Sequence, residues 1–212
     1  MARDQVEVMR KLGFHQFFVA GHDRGGRCAY RMALDHPERI AKLAVLDIVP
    51  TGEAFRRADM AFGLGFFHWY FLAQPYPLPE RLIGADPDNF YFRHRRQIGA
   101  KEKPDYFDPE AFEAYRRAYR DPATIHAMCE DYRAGATIDF EMDEADRGKR
   151  RITCPVLALW GRRAEPDKWY DVLAIWRDWA NDVQGQALDC GHYLAEEAPD
   201  ETYAALRDFF IA

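Results

Sequence analysis

Short apolar runs bounded by glycine or proline alternate with amphipathic segments at both ends of this chain, and that alternation limits its folds more than any other feature. "FHQFFVAG" (14–21), "KLAVLDIVP" (42–50) and "TCPVLALWG" (153–161) each read as a buried strand, and "QGQALDCGHY" (184–193) carries a short fourth strand and a turn. Between them lie segments of helical period: residues 2–12, "RGGRCAYRMALDHPERI" (24–40) closed by Pro37, "WYDVLAIWRDWA" (169–180), and the closing "APDETYAALRDFFIA" (198–212). Strand followed by helix, repeated, predicts a parallel sheet covered by helices on both faces. Residues 52–148 differ. They are rich in aromatics, arginine and proline, have helical period and show no buried strand, so they read as a helical insertion, a cap over the carboxyl edge of the sheet. The expected core is therefore 1–51 with 149–212, interrupted by 52–148.

Composition narrows the function classes. With 48% apolar and 30% charged residues, the 212-residue chain can bury a core. A net charge of -6 argues against a nucleic-acid binder, and the basic clusters "RHRRQ" (93–97) and "RGKRR" (147–151) read as solvated faces. No apolar run is long enough to span a bilayer, and the first residues hold no signal-peptide stretch. Cys28, Cys129, Cys154 and Cys190 are scattered, without a C-x-x-C pair. They read as reduced thiols of a cytoplasmic protein, not as a disulfide frame or a metal site.

The chemistry centres on "AGHDRGGRCAY" (20–30). Gly21-His22-Asp23-Arg24-Gly25 fits the G-x-nucleophile-x-G elbow between a strand and a helix, with Asp23 as the nucleophile. A helix N-terminus, Arg24 and Arg27 all favour an ionised Asp23. The simpler reading is an aspartate that only caps the helix. Arg24 and Arg27, three residues apart, can share a face and clamp a substrate carboxylate. Their simpler role is a surface ion pair.

These residues resemble the haloacetate (fluoroacetate) dehalogenase family of the α/β-hydrolase fold. The likeness runs through "AGHDRGGRCAYRMALDHPERIAKLAVLDIVPT", "FFHWYFLAQPYPLPERLIG", "MCEDYRAGATIDFEMD", "PVLALWG" and "CGHYLAEEAPDET". The resemblance implies Asp23 as nucleophile, His192 as general base, Asp47 as the acid that orients it, Arg24 and Arg27 as the carboxylate clamp, and His68, Trp69 and Tyr132 as halide-stabilising donors. Each has its own reading. His192 lies in a Gly-His turn after the last strand. Asp47 ends a strand at the active edge, and Glu165, after the third strand, is its rival. Aromatic residues such as His68, Trp69 and Tyr132 in a helical insertion more often pack than bind.

The implied reaction is hydrolytic dehalogenation of a small 2-haloacid, haloacetate to glycolate and halide, through an ester on Asp23, with no metal or organic cofactor. The substrate is a small molecule, and neither nucleic acid nor membrane is an expected partner. The resemblance also implies a homodimer. Two other readings stand beside it: an epoxide hydrolase, and a catalytically silent protein of this fold.

The resemblance implies strands preceding residue 1, with a His-Gly segment that completes an oxyanion hole. The 212 residues alone are therefore expected to form a partial sheet of about four strands, to release little halide, and to self-associate through the edge at 17–20. "RHRRQIGA" lacks an aromatic near Ile98, where the family has a tryptophan.

Overall fold

The computed structural model describes residues 1–93 and 106–211. The basic run at 93–97 falls, beyond its first residue, outside the described residues, as does position 98. Four parallel strands, β1 (Phe17–His22), β2 (Ile40–Leu46), β3 (Val156–Gly161) and β4 (Val183–Leu188), form one sheet in the order β1-β2-β3-β4. Helix α1 (Ala2–Lys11) precedes β1, and α2 (Arg24–Asp35) connects β1 to β2.

Position in the sheet explains the burial of each strand. Central β2 and β3 are covered almost continuously, as a parallel sheet with helices on both faces requires. Edge strands β1 and β4 alternate between partly buried and exposed residues. β1 lies at the edge expected at 17–20, and Phe18 there is half exposed, so the apolar run 14–21 is less covered than its buried-strand pattern suggests. On one side Ala44, Leu46, Leu157, Leu159 and Leu188 pack with Leu194, Ala198 and Phe209 of the closing segment. The helix Val172–Trp179 contributes buried Ile175 and Trp176.

Helix boundaries follow local chemistry. α2 ends at Asp35 because His36 precedes a proline and leaves the helical region, at φ -133° and ψ 55°. "WYDVLAIWRDWA" is not one helix. Asp171 accepts a hydrogen bond from the Ala174 N–H (3.0 Å) and starts a new helix at Val172, separate from Glu165–Trp169.

The chain divides into two compact units, residues 1–53 with 143–212, and residues 54–142. The boundaries differ from the expected 52–148 for a physical reason. Buried Asp143 accepts hydrogen bonds from the Tyr30 hydroxyl (2.7 Å) and the Gly52 N–H (2.8 Å), and Arg31 bridges to Asp146 at 2.9 Å. These contacts bind both ends of the insertion into the first unit.

In the second unit every described element is helical. Asp108-Pro109 and Asp121-Pro122 each open a helix, the aspartate capping N–H groups and the proline occupying the first turn. No helix among the described residues is long and apolar enough to cross a membrane.

Candidate active site

Two aspartates sit just beyond the carboxyl ends of neighbouring strands, both with positive φ: Asp23 at 49° after β1 and Asp47 at 55° after β2. Each is held there by its backbone. The Asp23 N–H donates to Leu46 O (3.2 Å) and the Asp47 N–H donates to Leu159 O (2.7 Å). Non-glycine residues in this region carry strain that the surroundings must enforce.

At the elbow that enforcement is steric. A Cβ on Gly21 would lie 2.4 Å from Gly25 O, and one on Gly26 would lie 2.7 Å from Gly21 O. Gly25 meets nothing within 4 Å, so the tight approach of helix to strand depends on Gly21 and Gly26 rather than on both glycines of the motif. Asp23 stands at the N-cap position of α2, yet its side chain makes no capping hydrogen bond.

The Asp23 carboxylate reaches instead to 3.4 Å from His192 Nε2. His192 Nδ1 donates to Asp47 Oδ2 at 2.6 Å, and the other oxygen of Asp47 accepts the Gly161 N–H at 2.9 Å. An amide of β3 thus fixes the acid that fixes the imidazole. Asp47, rather than Glu165, meets His192 Nδ1. Burial works against a charged imidazole, but the hydrogen bonds and charges of Asp23 and Asp47 outweigh it and push the His192 pKa up to about 10. The shift favours the protonated ring of His192.

Arg24 and Arg27 occupy the first turn of α2. Arg27 is buried and donates to Val49 O (3.0 Å) and Thr51 Oγ1 (3.3 Å). Thr51 is itself anchored, its N–H donating to the Tyr30 hydroxyl at 3.1 Å. His68, Trp69 and Tyr132 come together inside the second unit, with the Tyr132 ring 5.8 Å from His68 and 6.1 Å from Trp69 in edge-on geometry. Trp69 also meets Phe55 and Phe62, so these residues pack as well as carry polar hydrogens.

Two residues escaped the sequence reading. His22 lies against His192, ring centroids 4.5 Å apart, and its Nε2–H donates to the His192 carbonyl at 2.7 Å. Burial, reinforced by the charge of His192, lowers its pKa and favours the neutral ring. Glu197 accepts the N–H groups of Gly191 (2.6 Å) and Tyr193 (3.0 Å). The position of His22 inside the elbow was its only signal, and the spacing of Glu197 from Tyr193 becomes meaningful only once the turn is folded.

Elsewhere, ligand atoms of Glu80, His126 and Glu130 lie within 4.8 Å of one another. Arg133 donates to both Glu80 oxygens (2.8 and 3.0 Å) and to Glu130 (2.6 Å). Those hydrogen bonds pull the Glu80 pKa down to about 2, so a guanidinium already supplies the positive charge a metal would bring.

An aspartate at a strained strand-to-helix elbow faces a histidine, and a second aspartate stands behind that histidine, at the carboxyl edge of a parallel sheet. The chain belongs to the alpha/beta hydrolase fold family, which it matches over residues 1–199. It is 47% identical to a fluoroacetate dehalogenase of Burkholderia sp over 99% of this chain and 68% of that protein. It is 27% identical to a soluble epoxide hydrolase of Corynebacterium sp. strain C12 over 99% of this chain and 72% of the relative. A solved protein from Nostoc sp PCC 7120, described provisionally as an α/β hydrolase, shares 54% identity at a TM-score of 0.92, covering 99% of this chain and 71% of its own.

Proposed function

We propose that this hydrolase removes halide from a small 2-haloacid, with haloacetate as the simplest substrate. The observation that carries this reading is the Asp23 carboxylate at the elbow, 3.4 Å from His192 Nε2, with two arginines on the helix turn that follows it. Arg24 and Arg27 would bind the substrate carboxylate as charge-assisted hydrogen-bond donors. An Asp23 oxygen attacks the carbon bearing halogen, and the carbon–halogen bond breaks with its electron pair leaving on the halide. The product is an ester between Asp23 and the 2-carbon of the acid.

The second half needs a base. Esterification removes the Asp23 charge, one of the two that hold the His192 proton, so His192 can release it to solvent and become neutral. Neutral His192 takes a proton from water as that water attacks the Asp23 carbonyl carbon. The ester splits into the 2-hydroxy acid and the Asp23 carboxylate. An aspartate suits this cycle where a serine would not, since serine would give an ether that water does not readily open. His68, Trp69 and Tyr132 are assigned to the departing halide on the family resemblance, as donors where charge develops.

The second reading is an epoxide hydrolase, supported by the relative of that name and by the same ester chemistry. The arginine pair favours a carboxylate substrate. Substitution of Arg24 by Ala tests the difference. It should raise KM for a haloacid by about 10–100-fold, from the loss of about 1.5–3 kcal/mol, and leave turnover of a neutral epoxide nearly unchanged. Equal losses on both substrates would remove the case for the clamp.

A further inference from the structure

His192 belongs to a turn of irregular backbone between β4 and the short helix Leu194–Glu197. A general base on such a turn has to be held by something other than a helix or a ladder. Asp47 fixes its ring through Nδ1, but nothing in that contact fixes the backbone from which the ring projects.

Three hydrogen bonds supply what is missing, and they fall on three consecutive residues. The Gly191 N–H donates to Glu197 Oε2 (2.6 Å), and the Tyr193 N–H donates to Glu197 Oε1 (3.0 Å). The His192 carbonyl between them accepts from His22 Nε2 (2.7 Å). One carboxylate therefore grips the turn on both sides of the base, and a ring from the nucleophile elbow grips the middle. The fit is close, since a Cβ on Gly191 would stand 2.8 Å from Glu197 Oε1. His22 is also the residue preceding Asp23, so the same bond couples the backbone of the base to that of the nucleophile.

We propose that Glu197 and His22 are positioning residues for His192, holding the backbone of the histidine turn so that the imidazole meets the attacking water. This rests on the reading of Asp23 as the carbon-attacking nucleophile. It adds an uneven effect on the two half-reactions. Ester formation uses Asp23 and the substrate, whereas ester hydrolysis uses His192. Loosening the turn burdens the second step, and a displacement of about 1 Å is enough to cost about 100-fold.

The test is rapid-quench kinetics with chloroacetate, following halide release and the mass of the Asp23 peptide, in the wild type and in Glu197→Gln, His22→Leu, His22→Gln and His192→Asn. Glutamine at 197 keeps one acceptor and turns an N–H₂ group toward the other amide. Glutamine at 22 retains an N–H donor, whereas leucine has none. Expected are a halide burst of near wild-type rate, ester breakdown slowed about 10–100-fold in E197Q and H22L, visible ester on Asp23, and partial recovery in H22Q. His192→Asn sets the scale by accumulating ester almost fully. Wild-type ester breakdown in both E197Q and H22L would overturn the proposal. So would equal slowing of burst and breakdown, the mark of general loosening. Ester absent from H192N while halide is still released would overturn the underlying reading of Asp23 instead, and that outcome is separate from the other two.

Discussion

His192 carries a charge that the fold itself maintains. Its pKa stands at about 10 because Asp23 and Asp47 both favour the imidazolium, against the opposing effect of burial. An unfolded histidine titrates near about 6.5. A folded-state pKa above the unfolded one stabilises the protein fully below the unfolded value, and that contribution disappears as pH rises through the folded value. Thermal stability should therefore decline between pH ~6.5 and pH ~10 through this residue, beyond any general alkaline loss. Asp23→Asn removes one of the two carboxylates and should move the decline to lower pH. Melting curves across that range, with both proteins side by side, measure it. Superimposable pH dependences would mean that Asp23 does not hold the proton on His192.

Among the elements, β1, the elbow and α2 show how little freedom the strand-to-helix passage has. The sequence motif marks Gly21 and Gly25, but the contacts fall on Gly21 and Gly26. Gly26→Ala should cost about 1–3 kcal/mol, because a methyl group would lie 2.7 Å from the backbone oxygen of Gly21, which cannot move aside as the end of the Ile48 side chain can. Gly25→Ala meets open space and should leave the melting temperature unchanged or slightly raised. Denaturant melts of both variants check the pair, and equal losses would contradict the steric account. Much of this element level was readable beforehand. The strand-helix alternation and the elbow depend on residues close in sequence, whereas the pairing of Asp47 with His192, 145 residues away, was expected only from the family resemblance. What escaped depends on partners distant in sequence. The break at Tyr170–Asp171 follows from one cap competing with a helical period. His22 and Glu197 acquire meaning only when the turn around His192 folds against them.

At the scale of the whole molecule, two compact units share one chain, and the first unit closes around the two points where the chain leaves and returns. Asp143 is completely buried at the return. It accepts from Tyr30, from the Gly52 N–H and, at 3.4 Å, from Arg31. Removing one member of a buried charged network strands the others, at about 3–5 kcal/mol. Asp143→Ala should therefore be among the most destabilising single changes in the first unit, and Asp146→Ala, whose carboxylate is more exposed, should cost less. Calorimetry of the two variants would show the order, and a reversed order would contradict this assignment of the clasp. The larger claim is that the strained aspartate of the first unit forms an ester with its substrate. Heavy-oxygen labelling measures it most directly. In a single turnover of excess enzyme with chloroacetate in heavy-oxygen water, the label should appear in the Asp23 carboxylate and the glycolate should be unlabelled. Labelled glycolate with unlabelled Asp23 would mean that water attacks the substrate carbon itself, and the ester mechanism would be wrong.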